Sequence, residues 1–328
     1  MIFLDALKGK NQGRPPLWLM RQAGRYMPEY RALRERVSLW ELFHNSELAA
    51  EVTLLPIKRF GFDAAIVFSD ILVIAEAFGL TLSFPEGKGP QVHPRLETAR
   101  DIENLQQRPI VETLGFVKRT IELLKPALNV PLIGFCGGPF TVASYMMRDA
   151  KKWLCSDPTS FHLLLDKLTQ ASIEYLSMQV AAGAQAIQVF DSWANLLDSQ
   201  EFEELSLRYL QRIVDAIDVP VILFCRGSSL RAHKLASIRP AAISFDWEGD
   251  LSAISHTLPQ GIAVQGNLDP NLLRGDPEIL RESVKRLLGS MRNHPGYICN
   301  LGHGILPDTP VENVQLLVEE VQMNRILG

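Results

Sequence analysis

Short, continuously apolar segments recur along the chain and are separated by longer segments of mixed polarity. They are rich in Val, Ile and Phe, and runs of this length and composition are typical of parallel strands that are buried on both faces. The eight segments are PLWLM (16–20), AAIVF (64–68), PLIGF (131–135), AIQVF (186–190), PVILF (220–224), AAISF (241–245), IAVQG (262–266) and YICNL (297–301). We therefore predict eight parallel strands.

Helical spacing of apolar residues is found between these strands. Asp157, Asp276 and Thr309 are each followed by proline, a pair that is typical of the first turn of a helix. After Asp157, apolar residues repeat at helical spacing until Gly183, and glycine favours the end of a helix. We expect the apolar stripes of these helices to pack in the core.

The alternation of strands and helices over 328 residues predicts an α/β fold, a single (β/α)8 TIM barrel domain that spans residues 1–328. No linker or low-complexity segment suggests a second domain. No G-x-G-x-x-G or G-x-x-x-x-G-K-[ST] motif follows a strand, which disfavours dinucleotide-binding and P-loop proteins. In a TIM barrel the active site lies at the C-terminal ends of the strands.

Composition excludes several classes of function. Lys+Arg number 33 and Asp+Glu number 37, so the net charge of -4 and the lack of a basic patch disfavour a nucleic-acid partner. No apolar run resembles a signal peptide or a membrane span, so we expect a cytoplasmic protein with no membrane partner. The cysteines are far apart and form no C-x-x-C pair; they are Cys136, Cys155, Cys225 and Cys299. We expect reduced, mostly buried thiols and no metal site.

Polar residues directly follow the apolar segments, where the chemistry of a barrel is expected. In chain order they are Arg21, Gln22 and Arg25; Ser69 and Asp70; Tyr145, a little after its strand; Asp191, Ser192 and Trp193; Arg226; Asp246; Asn267 and Asp269; and His303. These side chains are the candidates for a functional site.

Several candidates suit an acidic ligand that also carries N–H groups. Arg21 and Arg25 can hold carboxylates through two parallel hydrogen bonds, whereas Asp70 can accept several N–H donors at once. Ser192 and His303 are placed to contact a ligand at the barrel mouth, as is Tyr145. The plainer alternatives are that the arginines pair with nearby glutamates and that Asp70 caps a turn or pairs with an arginine.

Seven motifs carry a resemblance to a known family. They are PPLWLMRQAGRYMPEYR (15–31), FGFDAAIVFSDIL (60–72), GFCGGPFTVASYM (134–146), QVFDSWAN (188–195), SFDW (244–247), VQGNLDP (264–270) and NLGHGILPDTPVENV (300–314). Through these motifs the chain resembles the uroporphyrinogen decarboxylase family from residue 15 to about residue 314. RQAGRY together with NLGHGILPDTP is the most specific pair.

The resemblance implies a (β/α) barrel, usually a homodimer, that acts in porphyrin and haem biosynthesis without a cofactor. The family removes carbon dioxide from the four acetate side chains of uroporphyrinogen III and so yields coproporphyrinogen III. Asp70 and Arg21 are implied to be catalytic. The implied substrate-binding residues are Arg21, Gln22, Ala23, Gly24, Arg25, Asp70, Tyr145, Ser192 and His303.

The identity of the proton donor stays open at this point. Arg21 is implied by the resemblance, yet an arginine with a pKa near 13 is about six units too weak an acid at pH 7, a penalty on the order of 8 kcal/mol. A protonated Asp70, a substrate carboxyl group and a delivered hydronium ion are the other candidates.

Two other functions remain as alternatives. Cobalamin-linked methyltransferases resemble this family but hold zinc through a His-x-Cys pair and a later Cys. Cys225 lies near the first motif, but Leu223 and His303 occupy the places of the other two ligands, which disfavours a zinc site. A non-catalytic tetrapyrrole-binding protein is the second alternative. Asn195 and the segment 226–241 depart from the family pattern, and these departures bear on how the substrate is oriented.

Overall fold

The computed structural model describes residues 1–85 and 87–324 of the chain. Its centre is a curled sheet of seven parallel strands in the order β1-β4-β5-β6-β7-β8-β9, and a separate antiparallel hairpin is formed by β2 and β3. The strands are β1 (Ala65–Ile66), β2 (Thr81–Ser83), β3 (Gln91–His93), β4 (Leu132–Gly137), β5 (Ala186–Phe190), β6 (Val221–Phe224), β7 (Ala242–Ser244), β8 (Ala263–Leu268) and β9 (Tyr297–Leu301).

Helices connect the successive strands of the sheet. The α-helices are α1 (Ile2–Leu7), α2 (Pro28–Arg34), α3 (Leu39–His44), α4 (Ser46–Phe60), α5 (Ala99–Glu103), α6 (Ile110–Thr113), α7 (Gly115–Leu124), α8 (Pro139–Met146), α9 (Ala150–Ser156), α10 (Pro158–Ala182), α11 (Ser199–Phe202), α12 (Arg208–Ala216), α13 (Ala232–Ser237), α14 (Leu251–Thr257), α15 (Pro277–Ser290) and α16 (Val311–Met323). Short 3-10 helices cover Val73–Phe78, Ser192–Leu196, Ser228–Arg231 and Pro270–Arg274, and Glu203–Leu207 is a π-helical turn.

Seven of the eight predicted strands are present within a few residues of the predicted positions. The first predicted strand, 16–20, differs, because only Leu17 forms a bridge, with Cys299 of β9. Pro16 has no N–H to donate to a ladder, and the N–H groups of Leu17 and Met20 donate instead to side chains, Asp63 at 2.8 Å and Asn300 at 3.1 Å. The segment is therefore held beside β9 without being a regular strand.

The three predicted helix starts lie close to where the structure has them. Asp157 and Asp276 cap α10 and α15 through their side chains, and Gly183 ends α10 with a φ of +137°. The last helix begins at Val311, with Pro310 in the capping position and without a side-chain cap. Thr309 therefore does not cap this helix as the sequence suggested.

A buried polar network lies inside the curled sheet, below the candidate site. Trp18 Nε1 donates to Gln265 Oε1 at 2.9 Å, and Gln265 Nε2 donates to Gln188 Oε1 at 3.1 Å and to Ser244 Oγ at 3.0 Å. Gln188 Nε2 in turn lies 3.6 Å from the Met20 sulfur. Because these buried groups satisfy one another, the network fixes the positions of the strands and of Met20, the residue before Arg21.

The cysteine prediction is confirmed for Cys136, Cys225 and Cys299, which are free and buried. The side chain of Cys155 lies outside the described part of the chain. None of the described helices combines the length and the apolar character that crossing a membrane requires.

Candidate active site

A cavity opens at the C-terminal ends of the parallel strands. It encloses about 840 Å³, including the space at its open mouth. Its lining consists of Met20, Arg21, Gln22, Ala23, Ile66, Val67, Phe68, Ser69, Asp70, Ile71, Phe135, Phe190, Ser192, Phe224, His303 and Gly304. The predicted location of the site at this end of the sheet agrees with this cavity.

A row of aromatic rings crosses the cavity lining. Phe135 contacts Phe190 edge to face with ring centroids 5.7 Å apart, and Phe190 contacts Phe224 at 6.0 Å. Phe224 then meets the His303 ring at 5.9 Å. The sequence analysis did not assign these phenylalanines to the site, although each is the last residue of its predicted apolar segment. They give the cavity an apolar, aromatic wall for a ligand.

Asp70 carries the only carboxyl group in this lining. Its Oδ1 accepts a hydrogen bond of 2.8 Å from the Leu72 backbone N–H, and its Oδ2 accepts none from the described residues. Burial among apolar side chains raises the pKa of Asp70, while the Leu72 N–H and the Arg21 charge act in the opposite direction. Asp70 thus keeps one oxygen free for N–H donors of a ligand.

Arg21 reaches the cavity from a strained backbone conformation. Its φ of +62° is in the left-handed region, which costs a non-glycine residue about 1–3 kcal/mol. A Cβ atom on Gly304 would lie 2.5 Å from Arg21 Cδ, so glycine leaves room for this side chain. Arg21 makes no hydrogen bond or ion pair with the described residues, and Glu29 pairs with Arg59 instead. The guanidinium of Arg21 is therefore free to bind an anion.

His303 lies between the aromatic row and two arginines. Its ring also contacts the Trp247 ring edge to face, with the two ring centroids 6.4 Å apart. Burial, followed by the charges of Arg21 and Arg226, lowers the pKa of His303 to about 4. The imidazole is consequently neutral at physiological pH and offers one donor and one acceptor nitrogen.

The other predicted site residues fall into two groups, those that line the cavity and those that lie outside it. Ser192, Gln22 and Ala23 line the cavity, whereas Gly24, Arg25 and Tyr145 do not. The amide of Gln22 is engaged by Leu19 and Ala64 through hydrogen bonds of 3.2 and 3.3 Å.

Tyr145 lies outside the lining because its ring packs against Trp193. The two ring centroids are 5.3 Å apart, and Trp193 Nε1 donates to the Tyr145 hydroxyl at 3.2 Å. Arg25 is exposed and its side chain has no partner among the described residues. A contact from either residue to a ligand requires the ligand to extend beyond the cavity.

Three of the polar residues that follow strands have structural roles. Asp191 is fully buried and accepts three hydrogen bonds from Thr141 and Ser206. Asp246 accepts from the Ser229 N–H and hydroxyl at 3.0 and 2.9 Å, and Asn267 donates to the Asp246 carbonyl at 2.9 Å. Their side chains join neighbouring loops, so these residues are not free for a ligand.

No group of three His, Cys, Asp or Glu side chains in the described part of the chain is arranged to hold a metal ion. Cys225 is fully buried, and burial raises the pKa of its thiol. Its environment therefore favours the neutral thiol over the thiolate that a zinc site needs.

Solved structures share this architecture. A methyltransferase from Methanosarcina mazei matches with a TM-score of 0.85 and 22% identity, over 98% of this chain and 97% of that one. A B12-independent methionine synthase from a Shewanella species matches with a TM-score of 0.57 and 12% identity, over 84% and 85% of the two chains. At these identities the likeness concerns the fold alone.

Sequence relatives are more informative about the family. The family model described as uroporphyrinogen decarboxylase matches residues 2–323. Proteins named uroporphyrinogen decarboxylase from Protochlamydia amoebophila and Alcanivorax borkumensis are 50% and 42% identical. The first match covers 98% of this chain and 91% of the relative, and the second covers 97% and 96%. The cavity with Arg21, Asp70 and His303 thus lies in a chain that belongs to the uroporphyrinogen decarboxylase family.

Proposed function

We propose that this chain is a uroporphyrinogen decarboxylase, which converts the four acetate side chains of uroporphyrinogen III into methyl groups and releases coproporphyrinogen III. The observation that carries the proposal is the free oxygen of Asp70, the one carboxyl group in the cavity lining. The family membership of nearly the whole chain supports the same reaction.

The chemistry of the substrate matches the cavity. Uroporphyrinogen is a flexible ring of four pyrroles, with four N–H groups that can turn inward and eight carboxylates at its edge. In this proposal the N–H groups donate to Asp70, and the pyrrole faces pack on the phenylalanine row. Edge carboxylates bind Arg21, His303 and Ser192, while Arg25 and Tyr145 contact parts of the ring that extend beyond the cavity.

The reaction requires a proton at the ring carbon beside the one that bears the acetate, which is the carbon bonded to the pyrrole nitrogen. A new C–H bond forms there, the pyrrole becomes cationic, and the bond to the carboxylate carbon then breaks to release carbon dioxide. The electron pair of that bond neutralises the ring and leaves an exocyclic methylene, which accepts a proton to become a methyl group. The ring carbon then loses the proton that it gained, which restores the pyrrole. An ionised Asp70 beside the pyrrole nitrogens would stabilise the cationic intermediate.

Asp70 is one candidate for the proton donor. Burial raises its pKa in the empty site, which favours the protonated carboxyl group. Several N–H donors from the substrate would stabilise the carboxylate, lower its pKa and so make that proton available to the pyrrole. Arg21, a substrate carboxyl group and a hydronium ion remain the competing donors.

The proposal extends to the complete architecture. In this proposal residues 16–20 take the place of the eighth strand and close a (β/α)8 barrel. The barrel is a single domain of residues 1–328. Two hydrogen bonds favour this arrangement, since the N–H of Cys299 in β9 donates to the Pro16 carbonyl at 2.9 Å and the Asp63 N–H, just before β1, donates to the Leu17 carbonyl at 2.8 Å.

A cytoplasmic homodimer belongs to the same proposal. Large apolar side chains between 39% and 86% exposed lie on the loops after β5, β6 and β7, and a second copy would cover them. They are Trp193, Leu196, Leu230 and Trp247. Light scattering that gives twice the chain mass for the wild type, and a smaller particle for Leu230→Glu, would support this dimer. A wild-type monomer would refute it.

The experiment for the reaction is an anaerobic incubation of purified protein with chemically reduced uroporphyrinogen III, with and without a strong chelator. We expect mass analysis to show stepwise loss of four carbon dioxides, unaffected by the chelator. Unchanged substrate that nevertheless binds would favour the non-catalytic tetrapyrrole-binding protein. Activity that the chelator abolishes would contradict the cofactor-free mechanism.

A further inference from the structure

Arg226 is a second cation near the cavity, although it is not part of the lining. It is exposed and makes no hydrogen bond or ion pair with the described residues. It follows β6 directly, and its charge acts on His303, as does the charge of Arg21. Phe224, two residues before it, contacts the His303 ring and lines the cavity. The position of Arg226 is therefore tied to the site.

The backbone that carries Arg226 is held firmly on both sides. Cys225 before it is fully buried, and Gly227 after it has a φ of +68° that permits the sharp turn. The Ser228 hydroxyl donates to Asp246 Oδ2 at 3.1 Å and accepts from the Asp246 N–H at 2.9 Å. A fixed backbone reduces the entropy that the side chain loses when it binds an anion at one place.

The cavity lining offers few cations to a ligand with many carboxylates. The lining contains one arginine, Arg21, and one carboxyl group, Asp70, whereas the substrate class carries eight carboxylates around one ring. Arg21 and Arg226 both act on His303 and come from two different segments, after residue 20 and after β6.

We propose that Arg226 and His303 form a second carboxylate subsite, which holds an edge carboxylate of the macrocycle other than the one bound by Arg21. The inference rests on the proposed function and deepens it. Arg226 supplies two parallel N–H donors, and the neutral imidazole supplies one more. Two cations that hold different carboxylates fix the rotation of the ring, so that the acetate due for reaction stays at the site of protonation.

The test compares Arg226→Gln with the wild type in the anaerobic decarboxylation assay. We expect KM to rise at least about tenfold, because one hydrogen bond to a charged group changes affinity by about ten- to a hundredfold. Arg226→Lys keeps the charge and should recover part of the loss. Arg119→Gln is the matched control, since Arg119 is equally exposed and unpaired but lies on the outer helix α7, and its KM should equal that of the wild type.

Equilibrium binding of coproporphyrinogen separates the two kinds of carboxylate, because this product keeps its propionates but has lost its acetates. Equal weakening of substrate and product binding in Arg226→Gln would assign the subsite to a propionate, whereas weakening of substrate binding alone would assign it to an acetate. Unchanged KM and unchanged binding of both would overturn the subsite. Wild-type protein without turnover would overturn the proposed function, and the binding comparison would still test Arg226.

Discussion

Asp70 and Asp191 both follow strands of the same sheet, and burial raises the pKa of both, yet their surroundings are opposite. Asp191 accepts three hydrogen bonds from Thr141 and Ser206, and a Cβ atom on Gly138 would lie 2.4 Å from its Cγ. Asp70 accepts one hydrogen bond, from the Leu72 N–H, and otherwise faces the cavity.

The comparison shows how a carboxyl group can be recognised as functional. A raised pKa alone does not distinguish the two aspartates, because burial produces it in both places. The number of acceptor sites that the protein itself fills does distinguish them. Asp191 connects β5 to α8 and to the π-helical turn, whereas Asp70 keeps its acceptor capacity for a ligand.

The largest expected effect follows from Asp70→Asn. We expect turnover to fall by at least about 100-fold, since the amide cannot carry the charge that stabilises a cationic pyrrole. The Asn oxygen can still accept from the Leu72 N–H, so the unfolding temperature should stay within a few degrees of the wild type. Steady-state kinetics check the loss of turnover, and thermal unfolding checks the stability. Near-normal turnover would show that Asp70 takes no part in the chemistry.

Asp191→Ala should show the reverse pattern. Loss of the carboxylate leaves the Thr141 and Ser206 donors buried without an acceptor, and we expect the free energy of unfolding to fall by about 3 kcal/mol. Urea unfolding measures this change. Turnover per folded molecule should fall much less than in Asp70→Asn, and a stable Asp191→Ala protein would contradict the structural role.

Gly304→Ala should have an intermediate effect on turnover. The added Cβ would displace the Arg21 side chain, which lies within 2.5 Å of it, and we expect about a tenfold loss of kcat/KM from misplaced carboxylate binding. Gly289→Ala is the matched control, because a Cβ atom at Gly289 meets nothing within 4 Å. Equal kinetics of the two variants would argue against a role for Arg21.

The smallest expected effect concerns the segment that follows Asp70. His44 Nε2 pairs with Glu76 at 2.8 Å and so joins α3 to the 3-10 helix Val73–Phe78. Burial lowers the pKa of His44, but the hydrogen bonds and charge of Glu76 and the Trp40 carbonyl outweigh it and raise the pKa above its usual value.

A raised pKa in the folded state means that this stabilisation is fully present below the pKa of the unfolded chain and is lost as pH rises through the folded pKa. We expect His44→Gln to lower the free energy of unfolding by about 0.5–1 kcal/mol at pH 5.5 or so, and by less at pH 8. Urea unfolding at both pH values checks this, and a deficit that grows with pH would contradict it.

The sequence predicts the seven regular strands because each is a continuous apolar run. It predicts the site residues because the motifs that contain them are specific to a family. It does not reveal that 16–20 stays irregular, since this depends on Asp63 and Asn300 taking the N–H groups of Leu17 and Met20. The short hairpin of β2 and β3 was missed because each strand has three residues.

The sequence predicts where in the fold the candidate site lies better than it predicts the directions of the side chains there. Arg21, Asp70, Ser192 and His303 line one cavity, but Tyr145 turns toward Trp193 and Arg25 lies outside the lining. Motifs identify residues and not the directions of their side chains. The two aspartates also look alike in sequence, because the donors that occupy Asp191 come from distant residues of the chain.

The most direct test of the central role of Asp70 is a binding comparison between reduced uroporphyrinogen and its oxidised porphyrin. Both carry eight carboxylates, but the porphyrin is flat and has two inner N–H groups in place of four. We predict that the wild type binds the reduced ring at least about tenfold more tightly and that Asp70→Asn loses this preference. The same preference in both proteins would contradict the assignment of Asp70 as the acceptor of the pyrrole N–H groups.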